Sequence, residues 1–591
     1  MMRTATCGDL SSKNVDKEVT LAGWVDTRRD HGNLIFIDLR DRWGITQVVF
    51  NPEKNADLHR LAETVRSEFV LQVKGRVSNR PQGTVNKKIP TGEVEVLADS
   101  LVILNASPTP PFEIGEMNVG EDIRLKYRYL DLRRRVMLEN LSFRYRVSKI
   151  ARDYLDKQAF IEIETPYLTR STPEGARDYL VPSRVHTGSF YALPQSPQLF
   201  KQLLMVGGYD RYFQLARCFR DEDLRSDRQP EHTQIDIEMS FVEEEDVMNL
   251  VEGMVADCVE KAKGLKFARP FKHLSYEEAL SRFGSDKPDL RFDMELVDLT
   301  EIFAESGFKV FDSVIKSGGK VRGICLRPPQ GVEYSRKDFD DLTAWIQDYG
   351  AKGLAWFKVK GPDSVESPIQ KFFVPDRMAK VIGSLQAQAG DILFMVASTP
   401  QISAVALGAL RVKLAHRHGL MDLDRFEVLW ITDFPLFEWD EDGGRYHALH
   451  HPFTSPMEKD IPLLEKDPAA VRARAYDLVL NGVEIGGGSI RIHRRDVQDK
   501  VFRALGIGAD EARDKFGFLL DALSYGAPPH GGLAMGLDRF VALLLGLDSI
   551  REVIAFPKTQ KGTCLMTEAP SEVHPDQLKE LGLHVKSLDR V

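Results

Sequence analysis

Between Arg211 and Phe241 the chain reads R-Y-F-Q-L-A-R-C-F-R-D-E-D-L-R-S-D-R-Q-P-E-H-T-Q-I-D-I-E-M-S-F. Two alternating stretches flank a charged loop, Asp221 to Glu231. On the second stretch Ile235, Ile237, Met239 and Phe241 share one face, and Gln234, Asp236, Glu238 and Ser240 share the other. On the first, Gln214, Cys218 and Arg220 lie opposite Phe213, Leu215 and Phe219. A hairpin with a polar face and an arginine at its turn suits a nucleotide phosphate, because guanidinium matches phosphate oxygens two at a time. A merely solvated hairpin would not need so many polar residues on one strand face. A second constellation, Gly531-Gly-Leu-Ala-Met-Gly-Leu-Asp-Arg-Phe540, permits close backbone approach and a strand-to-helix turn. It places Arg539 in the first turn of an apolar helix. A third joins Thr165-Pro166 to Thr172-Pro-Glu-Gly-Ala-Arg177. His447, His450 and His451 suggest a metal, but no Cys lies nearby and Pro452 interrupts them, so zinc is disfavoured.

The elements that must position these residues are spread over 591 residues, enough for about three to four domains. Hydrophobic residues at 43% and charged residues at 28% exclude a mostly disordered chain. The apolar stretch Phe540 to Leu547 is far short of a membrane span, and the N-terminus has no apolar core like that of a signal peptide. Five scattered cysteines, with no C-x-x-C, favour reduced thiols in a cytoplasm. Net charge is −9, but residues 1–107 carry 15 Lys+Arg against 14 Asp+Glu, a neutral module on an acidic body and weakly the polyanion contact. That module alternates in strand fashion over Val19–Arg29, Asn33–Arg40, Ile45–Phe50, Phe69–Ser78 and Glu93–Asn105, with a helix near Lys54–Val65. The order β-β-β-α-β-β is that of an OB-fold barrel, with another small barrel as the alternative. Residues 108–140 read as linker, and Arg133-Arg134-Arg135 as a solvated charged face. Residues 141–288 and 421–560 form one α/β body, 289–420 an inserted domain, and 561–591 a tail.

In chain order the three constellations match the three motifs of class II aminoacyl-tRNA synthetases. The barrel narrows the match to the aspartate/asparagine/lysine subgroup. The strings T-P-E-G-A-R-D-Y-L-V-P-S, Q-S-P-Q-L-F-K-Q-L-L-M, F-R-D-E-D-L-R, G-F-L-L-D-A-L and A-F-P-K narrow it further. The chain resembles bacterial aspartyl-tRNA synthetases over essentially its whole length. The resemblance implies an α+β multidomain protein: an N-terminal OB-fold barrel, a class II antiparallel-sheet catalytic domain, and an inserted α/β domain similar to one in a Glu-tRNA(Gln) amidotransferase subunit (GAD-like). The implied activity is formation of aspartyl-adenylate from L-aspartate and ATP, then transfer to the 3′ end of tRNA(Asp), in a cytoplasmic homodimer. No covalent enzyme intermediate is needed, which accords with Arg, Lys, carboxylates and Gly in place of a nucleophile–His pair.

Carried over by motif position, Arg220 holds the α-phosphate and helps orient the substrate carboxylate. Asp221, Glu222 and Gln229 contact ATP from the hairpin loop. Gly536, Leu537, Asp538 and Arg539 close the ATP site, with Arg539 on the γ-phosphate; the catalytic set is Arg220, Glu222 and Arg539. Asp477 and Glu484 bind Mg²⁺, a hard ion that prefers carboxylate and phosphate oxygen; the alternative for Asp477 is a surface helix residue. Arg491 and Lys201 match the partners of the aspartate side chain, Glu174, Ser196, Gln198 and Asp236 those of its ammonium group, and His450 a further substrate contact. In the barrel, Phe36 matches a base-stacking platform, with a core aromatic as its alternative. Arg29, Gln47 and Glu95 lie where the family reads anticodon bases. His31 and Gly83 resemble the loops of enzymes that also charge tRNA(Asn), which implies a separate amidotransferase acting on Asp-tRNA(Asn). Four rival readings stand: a strict tRNA(Asp) enzyme, an asparaginyl-tRNA ligase, an asparagine synthetase paralogue, and a catalytically dead RNA-binding relative.

Overall fold

The alternation of residues 18–105 closes into a five-stranded barrel in the computed structural model, which describes residues 2–116, 118–172, 176–441 and 443–585. The strands are β1 (Glu18–His31), β2 (Leu34–Arg40), β3 (Ile45–Phe50), β4 (Val70–Asn79) and β5 (Val94–Asn105), in the order β1-β2-β3-β5-β4. Helix α1 (Ala56–Glu63) is capped by Asn55, which accepts from Leu58 N. Period 2 puts Ile35, Ile37 and Leu39 of β2 in the barrel core.

The chain divides into two units, one holding residues 1–142, 555–559 and 563–570, the other the rest. Within the first unit the basic run is not a solvated face. Asp131 is fully buried and takes ion pairs from Arg124, Arg128 and Arg134. Arg133 reaches Glu68 at 2.7 Å and covers the Trp24 ring. Only Arg135, paired with Glu139, lies in the open. Residues 555–570 belong largely to this unit, and Arg128 Nε donates to Ala555 O at 2.9 Å.

The second unit is built on an eight-stranded sheet. Its strands are β6 (Ile161–Glu162), β7 (Arg211–Phe219), β8 (Glu231–Ser240), β9 (Lys272–Ser275), β10 (Val428–Thr432), β11 (Ala475–Leu480), β12 (Val483–Ile490) and β13 (His530–Gly536). They run in the order β9-β10-β11-β12-β13-β8-β7-β6, antiparallel except for the two end pairs. One face packs on α2 (Arg135–Lys157), α4 (Glu244–Lys263) and α5 (Leu537–Leu545), with Val147, Ala151, Val251, Ile235, Ile237 and Phe540 in its core. The other face carries the polar residues, with α3 (Gln198–Val206) beside it. Phe241 leaves the alternation. The strand stops at Ser240, Phe241 takes φ +59°, and its side chain is 72% exposed.

The stretch 289–420 forms its own five-stranded antiparallel sheet, ordered 297–298, 320–326, 392–398, 355–359, 365–366. Strand 392–398 sends Ile392, Phe394 and Val396 into one core and Leu393 and Met395 into another, so helices cover both faces. Buried Arg411 closes its neck, donating to the carbonyls of Asp289, Phe292 and Met294 at 2.8–3.0 Å.

Candidate active site and candidate anticodon interface

The alternation of β8 brings Asp236 and Glu238 to the polar face of the sheet, both buried. Helix α3 supplies Lys201, and the end of β12 leads into Arg491. Lys201 Nζ lies 3.1 Å from both Asp236 Oδ2 and Glu238 Oε2. Arg491 grips Glu238 with Nε and a terminal nitrogen at 3.0 and 3.2 Å, and donates to Ser489 Oγ at 2.7 Å. Two cations and two carboxylates are thus stacked out of water. Burial raises the Glu238 carboxyl, but Arg491 and Lys201 outweigh it and hold it at about 2. For Asp236 burial weighs most and Glu238 adds to it, so that Lys201 and the weaker pull of Arg491 still leave it raised to about 6. Gly532 permits this packing: a Cβ there would stand 2.2 Å from Glu238 Oε2. Asp236 Oδ1 and Gln198 Nε2 are buried without a protein hydrogen-bond partner, an acceptor and a donor left for a ligand. Ser196 Oγ accepts from Gln198 N at 3.2 Å at the start of α3. Glu174 lies outside the described residues.

Arg220 follows β7, and Arg539 sits in the first turn of α5. Both act electrostatically on His232, which burial first and then these two guanidiniums press down to about 3. The Nε of each is buried without a partner. Arg539 also donates to Glu484 O at 2.8 Å and faces Asp227 at 3.4 Å. Asp221 N donates to Arg177 O at 3.1 Å. Glu222 pairs with Arg228 at 3.1 Å, and Gln229 is buried at the base of the loop. Gly536 caps α5 while Leu537 is buried in the core behind the sheet. Asp538 has both oxygens engaged, one with Arg144 and one with Thr233 N at 2.8 Å. The side chains of Leu537 and Asp538 therefore anchor the turn from behind, and a ligand can meet only their backbone.

Asp477 is on β11, not on a surface helix, and is buried. Burial, then the Asp477 charge, raise the Glu484 carboxyl. Two carboxylates that repel one another this way suit a shared hard cation. Gly487 makes room, since a Cβ there would lie 2.6 Å from Asp477 Oδ1. His450 Nε2 stands 3.4 Å from that oxygen. Burial opposes a charge on His450, but Asp477 prevails and raises its pKa.

Three further residues join the site. Glu238 stands on the expected face, but its hold on Arg491 spans 253 positions and has no local signal. His451, near Arg491 and Lys201, is pushed to about 3 by burial and those cations, and nothing in its spacing marks it. Gln195 is buried and bonded to Ala176 and Asp178.

On the barrel, Phe36 alternates away from Ile35 and Ile37 and is half-buried on the outer face, not in the core. It pairs in register with Arg29 and Val49. Around it runs a polar chain. Arg29 bonds Asp38 at 3.0 Å and Gln47 at 3.3 Å, and Gln47 Nε2 donates to Glu95 at 2.8 Å. His31 is exposed at the end of β1, beside a turn with positive φ at Gly32 and Asn33. Gly83 has φ +85° in a turn closed by Thr84 N donating to Pro81 O at 3.0 Å, so backbone geometry alone already favours glycine there.

Comparison with known proteins agrees with this anatomy. Residues 19–104 match the OB-fold nucleic acid binding domain family. The chain is 57% identical, over 99% of its length and 98% of the relative's, to a protein of Desulfatibacillum aliphaticivorans named aspartate–tRNA(Asp/Asn) ligase. It is equally identical, with 99% of each chain covered, to one of Geobacillus kaustophilus named aspartate–tRNA ligase. Its fold is similar to that of asparaginyl-tRNA synthetase from Pyrococcus horikoshii complexed with asparaginyl-adenylate, with a TM-score of 0.59 at 19% identity, covering 97% and 100% of the two chains. With residues 120–560 matching the tRNA synthetases class II (D, K and N), the chain belongs to that family.

Proposed function

We propose that this protein is an aspartate–tRNA ligase that loads aspartate on tRNA(Asp) and on tRNA(Asn). The buried Lys201–Arg491 pair carries the amino-acid half of the reading. Aspartate enters with its ammonium toward Asp236 Oδ1 and its side-chain carboxylate toward Lys201 and Arg491. Arg220 and Arg539 clamp the phosphates of ATP, and Arg220 steers the α-carboxylate onto the α-phosphorus. The carboxylate oxygen bonds to phosphorus as pyrophosphate leaves, giving aspartyl-adenylate. The 3′-ribose hydroxyl of tRNA then takes the aspartyl group, and AMP departs. The protein's part is alignment and charge stabilisation. Asp477 and Glu484 would hold Mg²⁺, which neutralises phosphate charge when bound.

The barrel reads the anticodon with Phe36 as platform and Arg29, Gln47 and Glu95 at base edges. His31 and Gly83 leave unfilled the space that would exclude the first anticodon base of tRNA(Asn). The enzyme is a cytoplasmic homodimer built on α2 and β6, and an amidotransferase converts its Asp-tRNA(Asn). Both purified tRNA transcripts, charged with labelled aspartate, test the reading. Charging of both is expected. A preference of about 10³-fold, roughly 4 kcal/mol, would make the enzyme strict for tRNA(Asp). Aspartate-dependent ATP–pyrophosphate exchange tests the first step, and a monomer by light scattering at micromolar concentration would contradict the dimer.

A further inference from the structure

Gln195 behaves as a piece of peptide backbone. Its side-chain Nε2 donates to Ala176 O at 2.8 Å, and its Oε1 accepts from Ala176 N at 3.2 Å. The amide thus pairs with both polar groups of one residue, as a neighbouring strand would. Nε2 also reaches Asp178 Oδ1 at 2.5 Å, and Asp178 Oδ2 accepts from Ser171 Oγ at 2.8 Å. Gln195 is 5% exposed, so these groups have little water to fall back on.

The segment it holds faces two ways. On one side Leu193 N donates to Tyr179 O at 2.9 Å, and Gln195 is followed directly by Ser196 and α3, which carries Gln198 and Lys201. On the other side Arg177 forms a bridge with Asp221, the residue after Arg220. Phe219 N donates to Pro194 O at 3.0 Å, closing the circuit. Residues 176–179 therefore tie the start of the amino-acid wall to the start of the ATP loop, and the Gln195 amide is the side-chain lock on that tie.

We propose that Gln195 is a positioning residue that aligns the aspartate and ATP half-sites through residues 176–179. The inference rests on the function proposed above. In Gln195→Glu the donor is lost, and a carboxylate meets Asp178 Oδ1 and Ala176 O. Gln195 and Asp178 also line a cavity of about 260 Å³.

The experiment is pyrophosphate exchange by the full-length protein, varying aspartate and ATP separately. In Q195E the KM values for both substrates are expected to rise at least about fivefold, while tRNA binding by gel shift stays unchanged. Adding Asp178→Asn supplies an amide donor facing the introduced carboxylate and should recover a good part of the loss, so the double variant should have lower KM values for both substrates than Q195E. A rise confined to aspartate, no rise at all, or failure of D178N to rescue would each overturn the proposal. Should Q195E not fold, Gln195→Met, which keeps the length and lacks the amide, is read by the same two KM values. Absence of aspartate-dependent exchange in the unsubstituted protein is a different result. It would overturn the proposed function and this inference with it.

Discussion

Replacing Glu238 by glutamine keeps the shape of the pocket and removes one charge from its centre. The carboxylate lies 3.0 and 3.2 Å from Arg491 and 3.1 Å from Lys201, with no exposure to solvent. At an effective dielectric near 20, a charge pair at that separation is worth about 5 kcal/mol. Removing one partner of a buried pair typically costs about 3–5 kcal/mol, because the other charge stays desolvated. The catalytic unit should lose stability in that range. A guanidinium held by one amide oxygen in place of two carboxylate oxygens is less firmly placed, and misplacement of about 1 Å costs around 10²-fold in rate. Hence kcat/KM for aspartate, measured by pyrophosphate exchange, should fall about 10²-fold. The pH profile supplies a second reading. In the proposed reading Asp236 must be ionised to receive the ammonium group, so activity should fall as pH drops through about 6. Glu238 is one of the causes of that raised value, and its neutralisation should move the acid limb to lower pH. The sign for stability is opposite to that of a salt-bridged aspartate. A folded-state value above 3.8 means the folded chain binds more protons between about pH 4 and 6, so this group's contribution declines as pH rises through that window. An unmoved acid limb, or kcat/KM within about threefold of the parent, would refute the reasoning.

Arg220→Ala should lower pyrophosphate exchange by about 10²-fold or more while leaving tRNA binding in place; exchange within a few-fold of the parent would remove the phosphate assignment. Gly487→Ala pushes a methyl to 2.6 Å from Asp477 Oδ1, and should raise the Mg²⁺ concentration needed for half-maximal exchange by about tenfold, read in a Mg²⁺ titration. Phe36→Ala should weaken charging by about 1–3 kcal/mol per lost base stack and spare exchange; equal loss of both would point to a folding role. His31→Leu should shift charging toward tRNA(Asp) when the two transcripts compete, and an unchanged ratio would leave His31 without a part in the choice.

Much of this was open to a reader of residues alone, for reasons that differ by element. The barrel strands declared themselves because one side of each faces a dry interior, so Ile35, Ile37 and Leu39 had to alternate with Phe36 and Asp38. Asp236 could be placed on the correct face of β8 by the same period. What the period could not reveal is pairing at a distance. Glu238 looked like any polar strand residue until Arg491 arrived beside it. Arg133 and Arg134 looked like solvated charge because Glu68 and the buried position of Asp131 are not visible from their neighbours. Asp538 reads as part of a nucleotide-facing turn, yet Arg144 and Thr233 N claim its carboxylate from behind. Phe241 extends an apolar alternation by one step, but the backbone turns to positive φ and ends the strand first. Gln195, in a Gln-Ser-Pro-Gln loop, carries no periodic signal, and its role depends on Ala176 being folded back against it.

In the proposed reading, the balance of charges lets the pocket prefer aspartate without standing open as a naked cationic hole. Lys201 and Arg491 are each satisfied by carboxylates of the protein, so the site can be buried before substrate arrives. They are not exhausted. Lys201 has three donors and spends two, on Asp236 and Glu238. Arg491 has five, and its bonds to Glu238 and Ser489 use three. What remains on these two side chains is donors only. An aspartate carboxylate can accept from all of them. The amide of asparagine offers one acceptor and turns its own N–H groups against the rest, leaving buried donors unpaired. Such a mismatch is the kind that discriminates by about 10⁴-fold or more without an editing step. Glu238 makes the burial of Arg491 tolerable, and in the proposed reading it also orients the remaining donors toward the place of the substrate's side-chain carboxylate.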